Sequence, residues 1–162
     1  MKLWFSAAFA AVALCCAGPA RATQGEREAS GTLAWGPAAL GVDGQLLMHA
    51  SDFWAFGGAV RARLIDPRRP LAGAAVTVRY TIDALTWIPS VACGAGAEFD
   101  FLRGQLSPAV HAQAELIMRA ARQWGLVARV VAEANPANIN DFRGLIALGY
   151  VRFWGKGDGP EL

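Results

Sequence analysis

Residues 107–125 read SPAVHAQAELIMRAARQWG, and the way this stretch is taken decides the fold. Ser107 is a good helix N-cap, because its hydroxyl can accept from a free amide of the first turn. Pro108 follows at the first helical position, where a missing N–H costs nothing. Val110, Ala114, Ile117, Ala121 and Trp124 recur at spacings of four and three, an apolar stripe on one face. His111, Glu115, Arg119 and Arg122 take the other face, and Gly125 sits where a left-handed cap is wanted. The spacing predicts a helix over about 108–124. Beyond it, Leu126, Ala128, Val130 and Ala132 alternate with Val127, Arg129, Val131 and Glu133, as in a strand. The segment 134–141, with its asparagines and Pro136, is expected to be a loop. Residues 138–148 fit either a short helix or a strand.

Toward the N-terminus, Lys2, the apolar run Leu3–Cys16 and Ala20-Arg21-Ala22 make a secretory signal peptide, with cleavage expected after Ala22. The apolar run is too short for a comfortable helical span, so no stable membrane span is expected after cleavage. Removing Lys2 and Arg21 from the 15 basic residues leaves 13, against 13 acidic ones. A balanced mature chain lacks the basic face that phosphates require, which argues against nucleic acid as a partner. Cleavage also removes Cys15 and Cys16. Cys93 then has no partner in its own chain and is either a buried small hydrophobe or a thiol pairing with a second copy.

The expected organisation is a signal peptide over 1–22, a flexible leader over 23–30, one globular domain over 31–154 and a flexible tail over 155–162. Within the domain, Asp43-Gly44 between apolar runs is a hairpin-turn signal. Ala59–Ile65 alternates, with Arg61 and Arg63 expected to point outward. Asp66–Pro70 is a turn, since Asp-Pro-Arg-Arg-Pro cannot continue a strand. Ala74–Trp87 is the clearest strand: Val76, Val78, Tyr80 and Ile82 line one face, Thr77, Arg79, Thr81 and Asp83 the other. A loop over Pro89–Gly96 and a short strand over Ala97–Leu102 lead to the helix. The fold class that follows is α+β: a curved antiparallel sheet or small OB-like β-barrel with one long packed helix.

The chemistry-bearing residues are sparse. His49, His111 and Cys93 are far apart with no pair at ligand spacing, so no metal site is expected. Ser51, Ser90 and Ser107 lack an elbow motif around them. A Cys93–His111 dyad is conceivable, because each flanks the same short strand. Phe53-Trp54 are adjacent, so in a strand one of them points out. An outward Trp54 beside Asp52 and His49 would suit stacking on a sugar ring, with polar groups for its hydroxyls.

Two family resemblances carry further expectations. The order of strands, Cys93–Phe101, Ser107-Pro108, the helix, Gly125, the strand Leu126–Glu133 and a last strand at Gly144–Phe153 resembles the secreted binding subunits of bacterial AB-type toxins, of the subtilase-cytotoxin and pertussis-toxin kind. That resemblance implies an OB-type barrel that binds glycans, forms rings and carries no catalysis. Ala121-Arg122-Gln123-Trp124-Gly125, Arg129-Val130-Val131, Asn135-Pro136-Ala137-Asn138 and Leu148-Gly149-Tyr150 look like the C-terminal half of a GNAT N-acetyltransferase. There the resemblance implies acetyl-CoA, with Asn135 near its arm and Tyr150 at the family's aromatic position. The leading expectation is an exported, non-catalytic envelope or exterior binding protein without a cofactor, its partner a glycan or an envelope protein. A homo-oligomer paired through Cys93 is a further possibility. The acetyltransferase is the alternative. A ligand-free structural envelope protein is the third reading, for which Phe53 and Trp54 should both be buried.

Overall fold

The computed structural model describes residues 25–37, 39–65, 68–82, 87–121 and 123–155, without the side chain of residue 139. The signal-peptide expectation, most of the tail and the first residues of the leader lie outside the described residues. What is described is all β. Eight strands run in chain order: β1 Arg27–Gly36, β2 Ala39–His49, β3 Trp54–Ile65, β4 Arg69–Thr81, β5 Trp87–Asp100, β6 Gln105–Ala121, β7 Trp124–Asn135 and β8 Asn138–Trp154. Each pairs antiparallel with the next, and β1 closes on β8, from Arg27 opposite Trp154 to Trp35 opposite Ile146. The result is a closed up-and-down barrel with no free sheet edge.

This overturns the α+β expectation. The stretch expected as a helix over 108–124 is strand β6, paired along its length with β5 (Val91 opposite Ala114) and β7 (Ala114 opposite Val130). The alternation decides it. His111, Gln113, Glu115 and Ile117 face the lumen, while Val110, Ala112, Ala114 and Leu116 face out. A helix would have wrapped those polar groups around one wet face; the barrel collects them from eight strands into one interior. Residues 138–148 are strand as well, within β8.

Other local expectations shift for related reasons. Asp43-Gly44 is not a turn: it lies inside β2, with Asp43 opposite Thr32 and Arg61. The β1–β2 reversal falls at positions 37–38, where Pro37 breaks the ladder. The long strand over Ala74–Trp87 is two, β4 ending at Thr81 and β5 opening at Trp87. Ser107 is not a helix cap but a half-buried, inward residue of β6. β1 takes in Arg27–Ser30 of the expected leader. The strand over Leu126–Glu133, with its two faces, stands as read, within β7. Between β5 and β6, Gly104 turns the chain at φ 61°, a left-handed conformation that suits glycine.

Connections are short at both ends. One end carries the turns at 37–38, 66–68, 101–104 and 136–137; the other carries both strand termini of the barrel, Arg27 and Trp154, with the connections at 50–53, 82–86 and 122–123.

Candidate functional site

The barrel wall separates two chemistries. On the outward positions of the described strands the only charged side chains are Arg27 and Arg152, both at the end where the chain enters and leaves. Apart from Asn138 and Asn140 at the far rim, the outer wall is largely apolar: Leu33, Val42, Leu46, Val60, Val76, Val130 and Leu148 are all about half exposed or more. Aromatic residues gather toward its rims. Trp54, Tyr80, Trp87, Trp124, Tyr150 and Trp154 stand near the chain-terminal end; Trp35, Phe99, Phe101 and Phe142 stand near the other. Trp54 packs edge-on against Tyr80 at 5.1 Å, and Trp124 stacks with Tyr150 at 6.3 Å. Along β5, Trp87 and Phe99 are separated by roughly 30 Å of barrel height, at ~3.3 Å per residue and a ~40° tilt.

The inward positions hold the charges. Near the chain-terminal end, Arg119 donates to both carboxylate oxygens of Glu26, at 3.0 and 2.9 Å, and lies 4.1 Å over the Phe153 ring. Arg79 forks onto Glu28, one bond at 2.6 Å and the second, from Nη2 to Oε2, closer still. His49 Nε2 stands 3.3 Å from Arg79 and 3.6 Å from Glu28. At mid-height Arg129 donates to Glu115 at 2.9 Å and to Ser30 at 2.6 Å; Gln113 donates to Glu115 at 2.6 Å and accepts from Gln45 at 3.0 Å. Above them Glu133 takes Arg63 at 2.7 Å and Arg61 at 3.2 Å, and Arg63 also reaches Asp43 at 2.6 Å. Arg143 donates to Glu98 at 2.5 Å. His111 Nδ1 is 2.9 Å from Arg61 Nη2, and its Nε2 is 3.3 Å from Thr77. A guanidinium can only donate, so Nδ1 accepts and Nε2 carries the hydrogen toward Thr77.

The lumen is filled. Ile88, Ile117, Val127, Val151 and Phe153 form an apolar layer toward the chain-terminal mouth; Ala39, Ile65, Leu71, Val131 and Leu145 form another toward the opposite mouth. The void beside Glu28, Arg79 and Arg119 is about 10 Å3, room for about one water. A bundle of ion pairs between two apolar layers packs the interior of the described barrel and ties the strands together. Steric fit is tight. A Cβ on Gly94 would run into the His111 ring and the Val76 carbonyl. Gly94→Ala should therefore destabilise the barrel by about 1–3 kcal/mol through overpacking. Urea unfolding followed by tryptophan fluorescence checks this. Adding His111→Ala should recover only part of the loss, since the backbone carbonyl still obstructs.

The residues expected to form a glycan site are not brought together. Trp54 and Phe53 are 45% and 43% exposed, and Asp52 is exposed in the β2–β3 connection. His49 lies on the other side of the wall, buried against Arg79 and Glu28. Ser51 accepts from the amides of Phe53 and Trp54, which gives it a turn-shaping role. Phe53 and Trp54 are also not buried as the ligand-free structural reading expected. Asn135 shapes the β7–β8 turn by accepting from Ala137 at 2.9 Å, while Tyr150 stands near the opposite end of β8. No acetyl-CoA site is assembled from them. Cys93 is exposed on the outer wall and His111 points into the lumen, so the wall divides the supposed dyad, and Cys93 is not buried. Arg61 and Arg63 point inward, opposite to expectation. The lumen network is the feature that sequence reasoning missed. Its signal was strict alternation of an arginine or carboxylate with an apolar residue in β3, β6 and β7.

No protein-family model matches the chain. No curated protein matches it either. Solved structures do. The N-terminal β-barrel domain of Pseudomonas aeruginosa OprF is similar at TM-score 0.62 and 11% identity, over 81% of this chain and 98% of that one. Neisserial surface protein A is similar at TM-score 0.58 and 11% identity, over 82% and 97%. A de novo designed transmembrane β-barrel is similar at TM-score 0.53 and 16% identity, over 82% and 98%. These likenesses establish the fold as a small closed eight-stranded barrel. They overturn both resemblances drawn from the sequence, to toxin binding subunits and to N-acetyltransferases.

Proposed function

We propose that this chain is an integral barrel of the bacterial outer membrane that closes its own lumen and serves as a non-conducting, membrane-embedded envelope protein. The observation that carries the reading is the reversal of polarity across the wall: apolar outside between two aromatic rims, ion-paired inside. In lipid every backbone polar group must be satisfied by the segment or its neighbours, which a closed barrel achieves. An outward apolar band flanked by aromatic girdles matches what such barrels present to a bilayer. Among the described residues no helix is long and apolar enough to cross a membrane, which says nothing of a barrel. The expectation of no stable span after cleavage counted apolar runs, and strands span by alternation instead. Phe53 and Trp54 then act as interfacial anchors. The short connections between the strands favour a role within the wall over recognition by long loops.

The test is insertion and conductance together. The mature chain, refolded into phosphatidylcholine vesicles, should migrate differently on a gel before and after boiling and should resist added protease. In planar bilayers it should show no stable channel steps. A water-soluble chain that ignores vesicles would overturn the membrane reading; steady ohmic conductance would overturn the closed lumen.

A further inference from the structure

A shallow groove of about 840 Å3 runs across the outer wall from Trp87 of β5 over β6, β7, β8 and β1 to β2, in the size range of ligand clefts. Gly31 leaves its floor open, and Leu33, Leu126, Leu148 and Tyr150 are among its walls. Next to its chain-terminal side stand Arg27 and Arg152. Gly31 faces Tyr150 across the β1–β8 ladder; Ala29 faces Arg152 and Arg27 faces Trp154 in the next two rows. The two arginines are thus diagonal neighbours, about 7–8 Å apart at that spacing. Both are exposed, and neither guanidinium has an ion pair or hydrogen bond among the described residues. Among the described strands they are the sole charges on the outer wall, and they stand together at the edge of its groove.

Resting on the membrane reading above, the geometry points to a site for an anionic phospholipid: Arg27 and Arg152 take the phosphate headgroup and the groove over Gly31 takes an acyl chain. Charge decides the occupant. A second copy of this chain would bring its own arginines or a neutral wall to the same place, with nothing to answer the cations. An anionic headgroup at the membrane surface answers them, and guanidinium binds phosphate in a fork. The apolar floor continues from those cations into the band that faces hydrocarbon.

Native mass spectrometry of the mature chain in mixed micelles tests this, with dioleoyl phosphatidylglycerol and dioleoyl phosphatidylcholine as probes. Their chains are identical, so the difference reports the headgroup. Phosphatidylglycerol should be retained on the order of ten-fold better, from two basic residues at an anionic surface. R27Q/R152Q should erase the preference. Gly31→Leu should lower retention of both lipids alike; a Cβ there meets open space, so the fold survives. Circular dichroism and the gel shift confirm folding in every variant, so a lipid result that fails on a folded, inserted barrel counts against this site and leaves the membrane reading standing. Equal retention of both lipids, or a preference that survives in R27Q/R152Q, would overturn the proposal. So would a dimer that dissociates on Gly31→Leu without any lipid preference.

Discussion

Glu28→Leu should destabilise the folded barrel by about 3–5 kcal/mol, because it strands the Arg79 guanidinium in a closed interior. Glu28 and Arg79 are each 1% exposed. Arg79 has His49 within reach and Glu115 at 3.8 Å, but Glu115 is already taken by Arg129 and Gln113. Glu26 lies on the same void but is held by Arg119, so neither Glu26 nor Glu115 can turn to Arg79 without orphaning another arginine. Glu28→Leu/Arg79→Met removes both charges and leaves apolar groups beside Ile88 and Ile117. That double variant should fall within about 1–2 kcal/mol of the parent or exceed its stability, since replacing a buried pair by packed apolar groups is often neutral or favourable. Denaturant unfolding in micelles measures both. A single variant costing under about 1 kcal/mol would mean that water reaches Arg79 and that the lumen is open.

The sign of that asymmetry says what the network is for. Paired charges in a dry interior contribute little net stability over an apolar core, yet each is costly to leave alone. A one-residue slip of any strand would turn its arginines and carboxylates to the outside and its valines and leucines inward. Arg129 would lose Glu115 and Ser30 together, and Arg61 and Arg63 would both leave Glu133. The pairs therefore select one register out of many that the backbone ladders alone would tolerate.

This arrangement also explains what the amino-acid sequence disclosed and what it hid. The faces of β7 and of Val76–Thr81 were legible, because alternation of side chains is local and independent of solvent. Which face is the interior was not. Placing Arg61 and Arg63 outward follows the rule that apolar residues go in, and in this barrel the charged residues go in instead. β6 was hidden for a second reason. Several of its outward positions are alanines, and its inward Gln113 and Glu115 are good helix formers; Val110, Ala114 and Ile117 then mimic a helical stripe. Strict alternation through Val-His-Ala-Gln-Ala-Glu-Leu was the stronger pattern, and tertiary closure made it decisive. Asp43-Gly44 misled in the same way. Asp-Gly favours a tight turn in isolation, but Asp43 is held in β2 by Arg63. The expected grouping of site residues changed with the faces: His49 and Trp54 look like neighbours along the chain and stand on opposite sides of the wall.

Which solvent the outer wall faces can be read from one outward position. Val130 is midway along β7, 62% exposed, between Ala114 of β6 and Ile146 of β8. Its side chain makes no part of the lumen, so replacing it leaves the ion pairs untouched. In water, an exposed substitution away from such features changes stability by about 0.5 kcal/mol or less. At the middle of a bilayer, arginine on a barrel's lipid face costs about 2–4 kcal/mol. Val130→Arg should therefore destabilise the vesicle-inserted barrel by that larger amount. The penalty should be well below that when arginine is placed at Trp124, whose strand position is level with the existing Arg152, leaving mainly the loss of its stacking on Tyr150. The gradient matters more than either value: a wall in water gives no dependence on height, while a wall in lipid gives a maximum at Val130. A flat profile would overturn the membrane reading, and with it the anchoring role of the aromatic rims and the lipid site at Arg27 and Arg152.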